Sequence, residues 1–323
     1  MILILSEEQD QSTNDVIDWL IFYNKEFVRI NYSDKCEIIK VDLNNENLII
    51  KVNDRIINFN DITAYWYRRG DFNIKLPVMP VVTKKYKEII PQISKNLTSE
   101  IGALVNFFHF FLQGKKSLSC YLDNHINKLE NLIYAKRCGL TIPNTIISSN
   151  KNEILEFICE NNSIITKAIS ETIMFLAGEE GALQSYTNEV TQETLDDFDD
   201  FLFPSLFQNT INKKYELRIF YLDGNFYAMA IFSQSNNKTK TDFRKYDKEN
   251  PNRYIPFNIP SDIKIKLKKF MILKNYTSGS IDMVVDKDDN YIFLEINPVG
   301  QFGMTSIPCN YYLNKKIAEY LCK

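Results

Sequence analysis

The chain has little of what marks most metal-rich, disulfide-stapled or nucleic-acid-binding proteins. Its 323 residues contain only two histidines, His109 and His125, too few for a histidine-rich metal centre. The six cysteines (Cys36, Cys120, Cys138, Cys159, Cys309 and Cys322) form no CxxC pair and no dense framework. That spacing excludes a disulfide scaffold and fits reduced thiols, hence a cytoplasmic chain. A net charge of −3 supplies no global basic field, so nucleic acid is not an expected partner, and any anionic ligand has to be held by local lysines and arginines. Glycine and proline number ten each, and no low-complexity linker or repeat is visible. No long apolar run occurs either. Met1–Leu5 is followed at once by Ser6-Glu7-Glu8-Gln9-Asp10, too short for a signal peptide or a membrane span, and reads as a buried first strand. What remains is 45% hydrophobic and 24% charged, enough for a sizeable core in two or three domains.

The most informative segment is Gly279 to Gly300, GSIDMVVDKDDNYIFLEINPVG, which reads as a β-hairpin. With Asp288-Asp289 as a two-residue turn, Asp282 lies across from Glu295, and Asn297 projects from the same face. The opposite face is then Ile281, Met283, Val285, Ile292, Leu294 and Ile296, wholly apolar, and a one-residue slip would mix the two sets. Two carboxylates placed face to face repel unless a cation or a proton lies between them. A hard divalent cation fits: Mg²⁺ prefers carboxylate and amide oxygens and completes its octahedron with substrate phosphates. The other reading of the segment is an acidic surface hairpin.

The opening residues alternate strand and helix: Ile2 to Leu5, an amphipathic helix from about Asn14 to Tyr23, and a strand around Phe27 to Ile30. Another strand covers Ile62 to Tyr67, and a helical region runs from about Lys84 to Phe111. Gly114-Lys115-Lys116 marks a boundary. A helix from Asn124 to Cys138 follows, capped by Gly139, then Pro143 and a strand from Thr145. Lys151 to Glu160 reads as a helix, Ser163 to Ile169 as a strand, and SETIMFLAGEEGA (170–182) as a flap. Beyond Phe203 the pattern is antiparallel: Glu216 to Leu222, the turn Asp223-Gly224, then Phe226 to Gln234. Helices are expected from Ser261 to about Lys274 and from about Tyr311 to Cys322. The expected domains are 1–115, 116–202 and 203–323.

Several basic and acidic residues have two readings. Lys167, among β-formers in SIITKAI, either faces solvent on an edge or meets an anion in a cleft. Lys128, on an amphipathic helix, either belongs to a solvated face or reaches a site. Arg218, between Leu217 and Ile219, either lies over phosphates or makes a cross-strand salt bridge. Glu216, on the same strand face, either accepts ribose hydroxyls or pairs with that arginine. His109, set among Phe107, Phe108, Phe110 and Phe111, reads as a core or interface histidine.

In their order along the chain, these elements resemble the ATP-grasp family, and more narrowly the graspetide synthetases, the peptide maturases that include the microviridin-type macrocyclases. The resemblance covers nearly the whole chain. It implies an α/β (α+β) fold in which an N-terminal α/β domain precedes central and C-terminal domains that clasp ATP between two antiparallel sheets. Asn127-Lys128 with the later GLTIPNT is similar to the family's opening of the central domain, where a lysine reaches phosphate. Lys167 matches the second ATP lysine, and Phe207-Gln208-Asn209-Thr210-Ile211 resembles the hinge whose backbone meets adenine. Glu216-Leu217-Arg218 resembles the D/E-x-R after the hinge, and Asp242-Phe243-Arg244 the macrocyclases' DFR segment. Asp282, Glu295 and Asn297 match the magnesium ligands. Tyr65-Trp66-Tyr67-Arg68-Arg69 resembles their W-x-R-R stretch.

The resemblance implies ATP and Mg²⁺ as cofactors and an acyl phosphate formed on an Asp or Glu side chain of a ribosomally made precursor peptide, leader plus core. A Thr or Ser hydroxyl then gives an ω-ester, or a Lys amine an ω-amide. Gln208, Thr210, Ile211 and Glu216 would hold the nucleoside, Lys128, Lys167 and Arg218 the phosphates, and Arg244 the γ-phosphate or the acceptor carboxylate. A homodimer is implied as well. Two other expectations stand beside it: an ATP-grasp carboxylate–amine ligase with another acceptor, and a non-catalytic peptide-binding protein.

Overall fold

Ile2, Leu3, Ile4 and Leu5 are all buried, as a strand covered on both faces must be. The computed structural model describes residues 1–76, 88–124, 126–170, 174–176, 182–184, 187–233 and 252–323. Contacts divide the chain into two units. The first is Met1–His125 with Gln301–Gly303 and Tyr312–Lys323; the second is Ile126–Gly300 with Met304–Tyr311.

In the first unit the elements are β1 (Ile2–Ser6), α1 (Gln11–Phe22), β2 (Phe27–Asn31), β3 (Lys35–Asp42), β4 (Asn47–Val52), β5 (Arg55–Asn58), β6 (Ala64–Arg68), β7 (Asn73–Ile74), α2 (Ile90–Leu112) and β8 (Lys116–Leu118). A parallel sheet in the order β2-β1-β6-β8 forms its centre, and β5-β4-β3-β7 form a second sheet. The helix Leu313–Cys322 returns from the far end of the chain to pack against α1, and Tyr320 Oη donates to the Ser117 carbonyl. It starts later than expected because Tyr312, at its N-terminal boundary, is left-handed (φ 53°). His109 is buried, as its phenylalanine neighbours suggest, with Nε2 3.0 Å from Asp71 Oδ1 and its ring stacked 4.1 Å from Tyr121.

The end of β6 is fastened to the start of α1. Asp10 caps α1 by accepting from the Ser12 N–H at 3.0 Å, and its other oxygen meets Arg68 Nε at 2.8 Å. Burial by itself would raise the Asp10 carboxyl, but hydrogen bonds from Ser12 and Thr13 and the Arg68 charge outweigh it and hold the group below the ordinary value. Arg68 is 5% exposed. The first arginine of the Trp-x-Arg-Arg stretch therefore serves the fold of this unit. Gly70, two residues on, lies directly on the Leu5–Ser6 backbone, where an added Cβ would be 2.1 Å from the Ser6 nitrogen.

The second unit contains α3 (Lys128–Arg137), β9 (Thr145–Asn150), α4 (Lys151–Asn161), β10 (Ile164–Lys167), β11 (Met174–Leu176), β12 (Ala182–Gln184), β13 (Asn188–Val190), α5 (Gln192–Asp196), β14 (Phe201–Asn209), β15 (Lys213–Leu222), β16 (Asn225–Phe232), β17 (Arg253–Phe257), α6 (Ser261–Leu273), β18 (Ser278–Asp286), β19 (Tyr291–Asn297) and α7 (Gly303–Cys309). Two large antiparallel sheets result among the described residues, β13-β10-β14-β9 and β17-β16-β15-β18-β19, beside the two-stranded pair β11-β12. Ile154, Phe157, Ile164, Val190, Leu195 and Phe207 bury one face of the first sheet under α4 and α5. Leu132 and Ala135 of α3 and Leu267, Phe270 and Met271 of α6 cover one face of the second, against Leu217, Ile219, Ile281, Met283 and Phe293.

α3 is shorter than the sequence suggests. Asn127 accepts from the Leu129 and Glu130 N–H groups and so caps the helix at Lys128, while Tyr121–Asn124 form a separate 3-10 turn. Its other end is as expected: Gly139 takes φ 88°, the Gly139 N–H bonds to the Lys136 carbonyl, and the Leu140 N–H to Ala135. Within the flap, β11 and β12 pair antiparallel, Phe175 opposite Leu183. Most of the remaining flap residues lie outside the described residues.

Candidate active site

The helix-covered face of the β15–β18–β19 sheet takes the apolar residues, so the alternate residues occupy the other face. α7 covers the β16 end of that face, where Cys309 packs on Met229 and Ile231. Arg218 pairs across strands with Asp282, and Asp282 with Glu295. Next to this row Ser280 pairs with Asn297, which places Asn297 beside Glu295 on the same face.

Both carboxylates are held. Arg218 Nη1 lies 2.6 and 2.5 Å from the two Asp282 oxygens, and Lys128 Nζ reaches Glu295 Oε2 at 3.5 Å from the first turn of α3. Arg218 thus makes the cross-strand salt bridge its sequence context allows, and Lys128 reaches the site. Glu216 does not pair with Arg218; its carboxylate meets Lys213, three residues earlier, and both side chains are nearly buried. Lys213 carried no motif. Only its place just after the hinge pointed to it.

The carboxylate pair stands where the sequence puts it, by a different route. The Asp286 N–H bonds to the Asn290 carbonyl at 3.1 Å, so the loop is Lys287-Asp288-Asp289, three residues with Asp289 left-handed at φ 62°, not the two-residue turn Asp288-Asp289. Asp286 closes it, accepting on Oδ1 from the Asp288 and Asn290 N–H groups. A three-residue loop shifts the register by one, so Met283 faces Phe293 and Val284 faces Ile292. An irregularity between Asp282 and Met283 then restores the original register, bringing Asp282 opposite Glu295. Leu294 is the extra residue of this bulge. In consequence Phe293, not Leu294, joins Ile281, Met283, Val285 and Ile296 in the core, and Ile292 lies outside that cluster.

The turn after β19 folds back on the site strands. The Gly300 N–H bonds to the Asn297 carbonyl at 3.0 Å, and Ser278 Oγ donates to Pro298. An added Cβ on Gly300 would be 2.6 Å from Ser280 Cβ and 2.7 Å from the Asn297 oxygen. Gly300→Ala should therefore push the turn off β18 and tilt Asn297, at a cost of about 1–3 kcal/mol in stability. With Asn297 as a metal ligand, as the resemblance implies, Mn²⁺ affinity in the presence of nucleotide is expected to drop, and Ser280→Gly in the same chain to restore part of it. An Asn297 that has no part in metal binding would leave Mn²⁺ affinity unchanged.

Lys167 ends β10 opposite Leu206, and Gln208 faces Ile165. Since Phe207 points to the helices, Lys167 and Gln208 share the face without them. Gln208 is buried within the sheet and donates to Thr145 Oγ1 at 3.0 Å, so its side chain serves the strand. The hinge proper is Thr210-Ile211-Asn212, joining β14 to β15. The Thr210 N–H bonds to Ser163, the Ile211 carbonyl accepts from Lys213, and the Asn212 carbonyl from Lys287. Among the described residues this leaves the Thr210 carbonyl and the Ile211 and Asn212 N–H groups outside the internal backbone hydrogen bonds. Arg244, with Asp242 and Phe243, lies outside the described residues.

No protein-family model matches this sequence, and no curated protein matches it. Solved structures do. The macrocyclase MdnC from Microcystis aeruginosa MRC, bound with precursor peptide MdnA, is 27% identical with a TM-score of 0.78 over 99% of either chain. A RiPP-associated ATP-grasp ligase of Chryseobacterium gregarium, in complex with ADP and a leader and core peptide, is 26% identical with a TM-score of 0.80, covering 99% of this chain and 96% of that one. The chain is an ATP-grasp ligase. A third ligase, PsnB complexed with minimal precursor, Mg and ADP, has the same fold at 14% identity and a TM-score of 0.73, over 99% of this chain and 96% of that one.

The ligase's donor set suits a hard cation. Asp282, Glu295 and Asn297 offer only oxygens from carboxylates and an amide, the chemistry Mg²⁺ selects. Among the described residues no cluster of three or more His, Cys, Asp or Glu side chains could hold a metal by itself. An ion at this face would take its remaining ligands from water and phosphate. No helix among the described residues is long and apolar enough to cross a membrane.

Proposed function

We propose that this ligase is an ATP-dependent peptide macrocyclase, a graspetide synthetase that condenses Asp or Glu side chains of a ribosomal precursor peptide with Thr or Ser hydroxyls or Lys amines. One observation carries the reading: the row Arg218, Asp282 and Glu295 on one sheet face, with Lys128 reaching Glu295 from α3. Its weight comes from the fold, shared over nearly the whole chain with two ligases whose structures hold precursor peptides.

A carboxylate is a poor electrophile because its leaving group would be oxide. Transfer of the γ-phosphoryl group of ATP to a carboxylate oxygen releases ADP and leaves an acyl phosphate. The hydroxyl or amine then attacks the carbonyl carbon, phosphate departs, and the nucleophile's proton goes to solvent or phosphate. The peptide loses one water per ring. The protein's share is positioning and charge neutralisation. Asp282, Glu295 and Asn297 would hold Mg²⁺, which supplies Lewis-acid charge against the β- and γ-phosphates. Lys128, Lys167 and Arg218 would neutralise the remaining phosphate charge. Free backbone groups of the Thr210-Ile211-Asn212 hinge would take the adenine edge, and Glu216, oriented by Lys213, the ribose hydroxyls. Arg244 would steady the acceptor carboxylate, and a leader segment would raise the effective concentration of the core. The reading also implies a homodimer and a cytoplasmic location.

The test is mass spectrometry of a candidate precursor, rich in Thr, Glu, Asp and Lys, after incubation with the enzyme, ATP and Mg²⁺. Successive losses of about 18 Da, one per condensation, support the reading. ATP hydrolysis at unchanged peptide mass moves the acceptor elsewhere, and absence of hydrolysis with any peptide leaves only binding.

A further inference from the structure

The Asp282–Glu295 pair carries two adjacent negative charges, yet each already has a cation. Arg218 takes both oxygens of Asp282, and Lys128 takes Glu295. The four side chains form one row in which the cations flank the carboxylates, Arg218 from β15 and Lys128 from α3. The two pairs are partly buried, with side-chain exposures of 17% and 18% for Arg218 and Asp282 and 26% and 29% for Lys128 and Glu295. A divalent cation that arrives alone must displace these counter-ions or sit beside them, and the displaced charges then have nowhere to go.

A nucleotide changes that balance. Its phosphates are the acceptors that a guanidinium fork and an ammonium group fit best. We infer that Arg218 and Lys128 act as resident counter-ions of Asp282 and Glu295 and are exchanged for the metal when a phosphate chain arrives. The site thus admits metal and nucleotide as a unit and excludes the bare ion. The inference rests on the nucleotide-site reading above. It adds that the same two cations oppose metal binding before nucleotide arrives and favour it afterwards.

Simple contact between metal and phosphate couples their binding in any site, so coupling alone decides nothing. The sign of a variant's effect does. Lys128→Met should be examined by Mn²⁺ titration, reading the free-ion signal by electron paramagnetic resonance, with and without saturating AMPPNP. Without nucleotide the variant is expected to bind Mn²⁺ about tenfold more tightly than the parent, because Glu295 has lost its counter-ion. With AMPPNP the advantage is expected to vanish or reverse, because the lysine has by then moved to phosphate. AMPPNP itself should bind the variant more weakly. Arg218→Met should follow the same pattern and serves as the second variant.

Equal tightening with and without AMPPNP would mean that Lys128 never leaves Glu295, and would overturn the exchange while leaving the nucleotide site in place. Failure of the parent enzyme to bind AMPPNP with or without Mn²⁺ would remove the nucleotide-site reading and the exchange together.

Discussion

Glu295→Ala is expected to lower peptide condensation by about 10³-fold or more, with ADP release falling in parallel, since charge-stabilising groups of this kind are usually the largest single contributors to rate. Three consequences of one deletion act in the same direction. One of the two facing carboxylates disappears, so the oxygen donor set is halved in charge. Lys128 loses the partner it reaches at 3.5 Å, and its charge stands uncompensated beside the metal position. Asp282 keeps Arg218, whose two contacts at 2.6 and 2.5 Å then face no competing demand. The fold should be indifferent, because the core packs on the other face through Phe293 and Ile296. Melting within about 0.5 kcal/mol of the parent, as for surface substitutions, would confirm that. Retention of more than a tenth of the parent rate would remove Glu295 from the metal site.

Gly70→Ala is expected to have the largest effect on stability. The new methyl carbon would stand 2.1 Å from the Ser6 nitrogen, 2.5 Å from the Leu5 carbonyl carbon and 2.7 Å from the Ser6 oxygen, all backbone atoms of β1. No rotamer change relieves a backbone clash. β6 and β1 would have to separate where the Gly70 N–H meets the Leu5 carbonyl and Arg68 reaches Asp10, at a cost of about 3 kcal/mol or more. Gly102→Ala, inside α2 with nothing within 4 Å, is the matched control. There the same atom should stabilise by about 0.5–1 kcal/mol through helix propensity. Urea unfolding of both variants reads the difference, and a Gly70→Ala midpoint equal to the parent's would refute the close approach.

These residues differ in how legible they were. The apolar alternation of β18 and β19 placed Asp282 and Glu295 together because burial of one face fixes register. Turn geometry was not legible in the same way, since Asp-Asp fits either a two-residue turn or a three-residue loop with a left-handed aspartate. α7 was missed: GMTSIPC is short, contains Pro308 and has no helical stripe, and its helix exists because Met304 and Cys309 find the β16 face. Arg68 looked like part of a site motif. Its ion pair with Asp10 depends on a contact 58 residues apart that no local pattern encodes. Helix starts were displaced at the Asn127 and Asp10 caps, whereas the helix capped by Asn150 starts at Lys151 as expected.

The paired irregularities of the β18–β19 hairpin matter for how such sites are recognised and how they drift. The loop gains a residue and the strand absorbs it at Leu294, so one separation between the two acidic residues along the chain is compatible with more than one turn geometry. An insertion in the tip can be offset by loss of the bulge, and the reverse, with both carboxylates still opposed. Such an exchange leaves the number of residues between the acids unchanged, so their spacing marks the hairpin while leaving its turn type open.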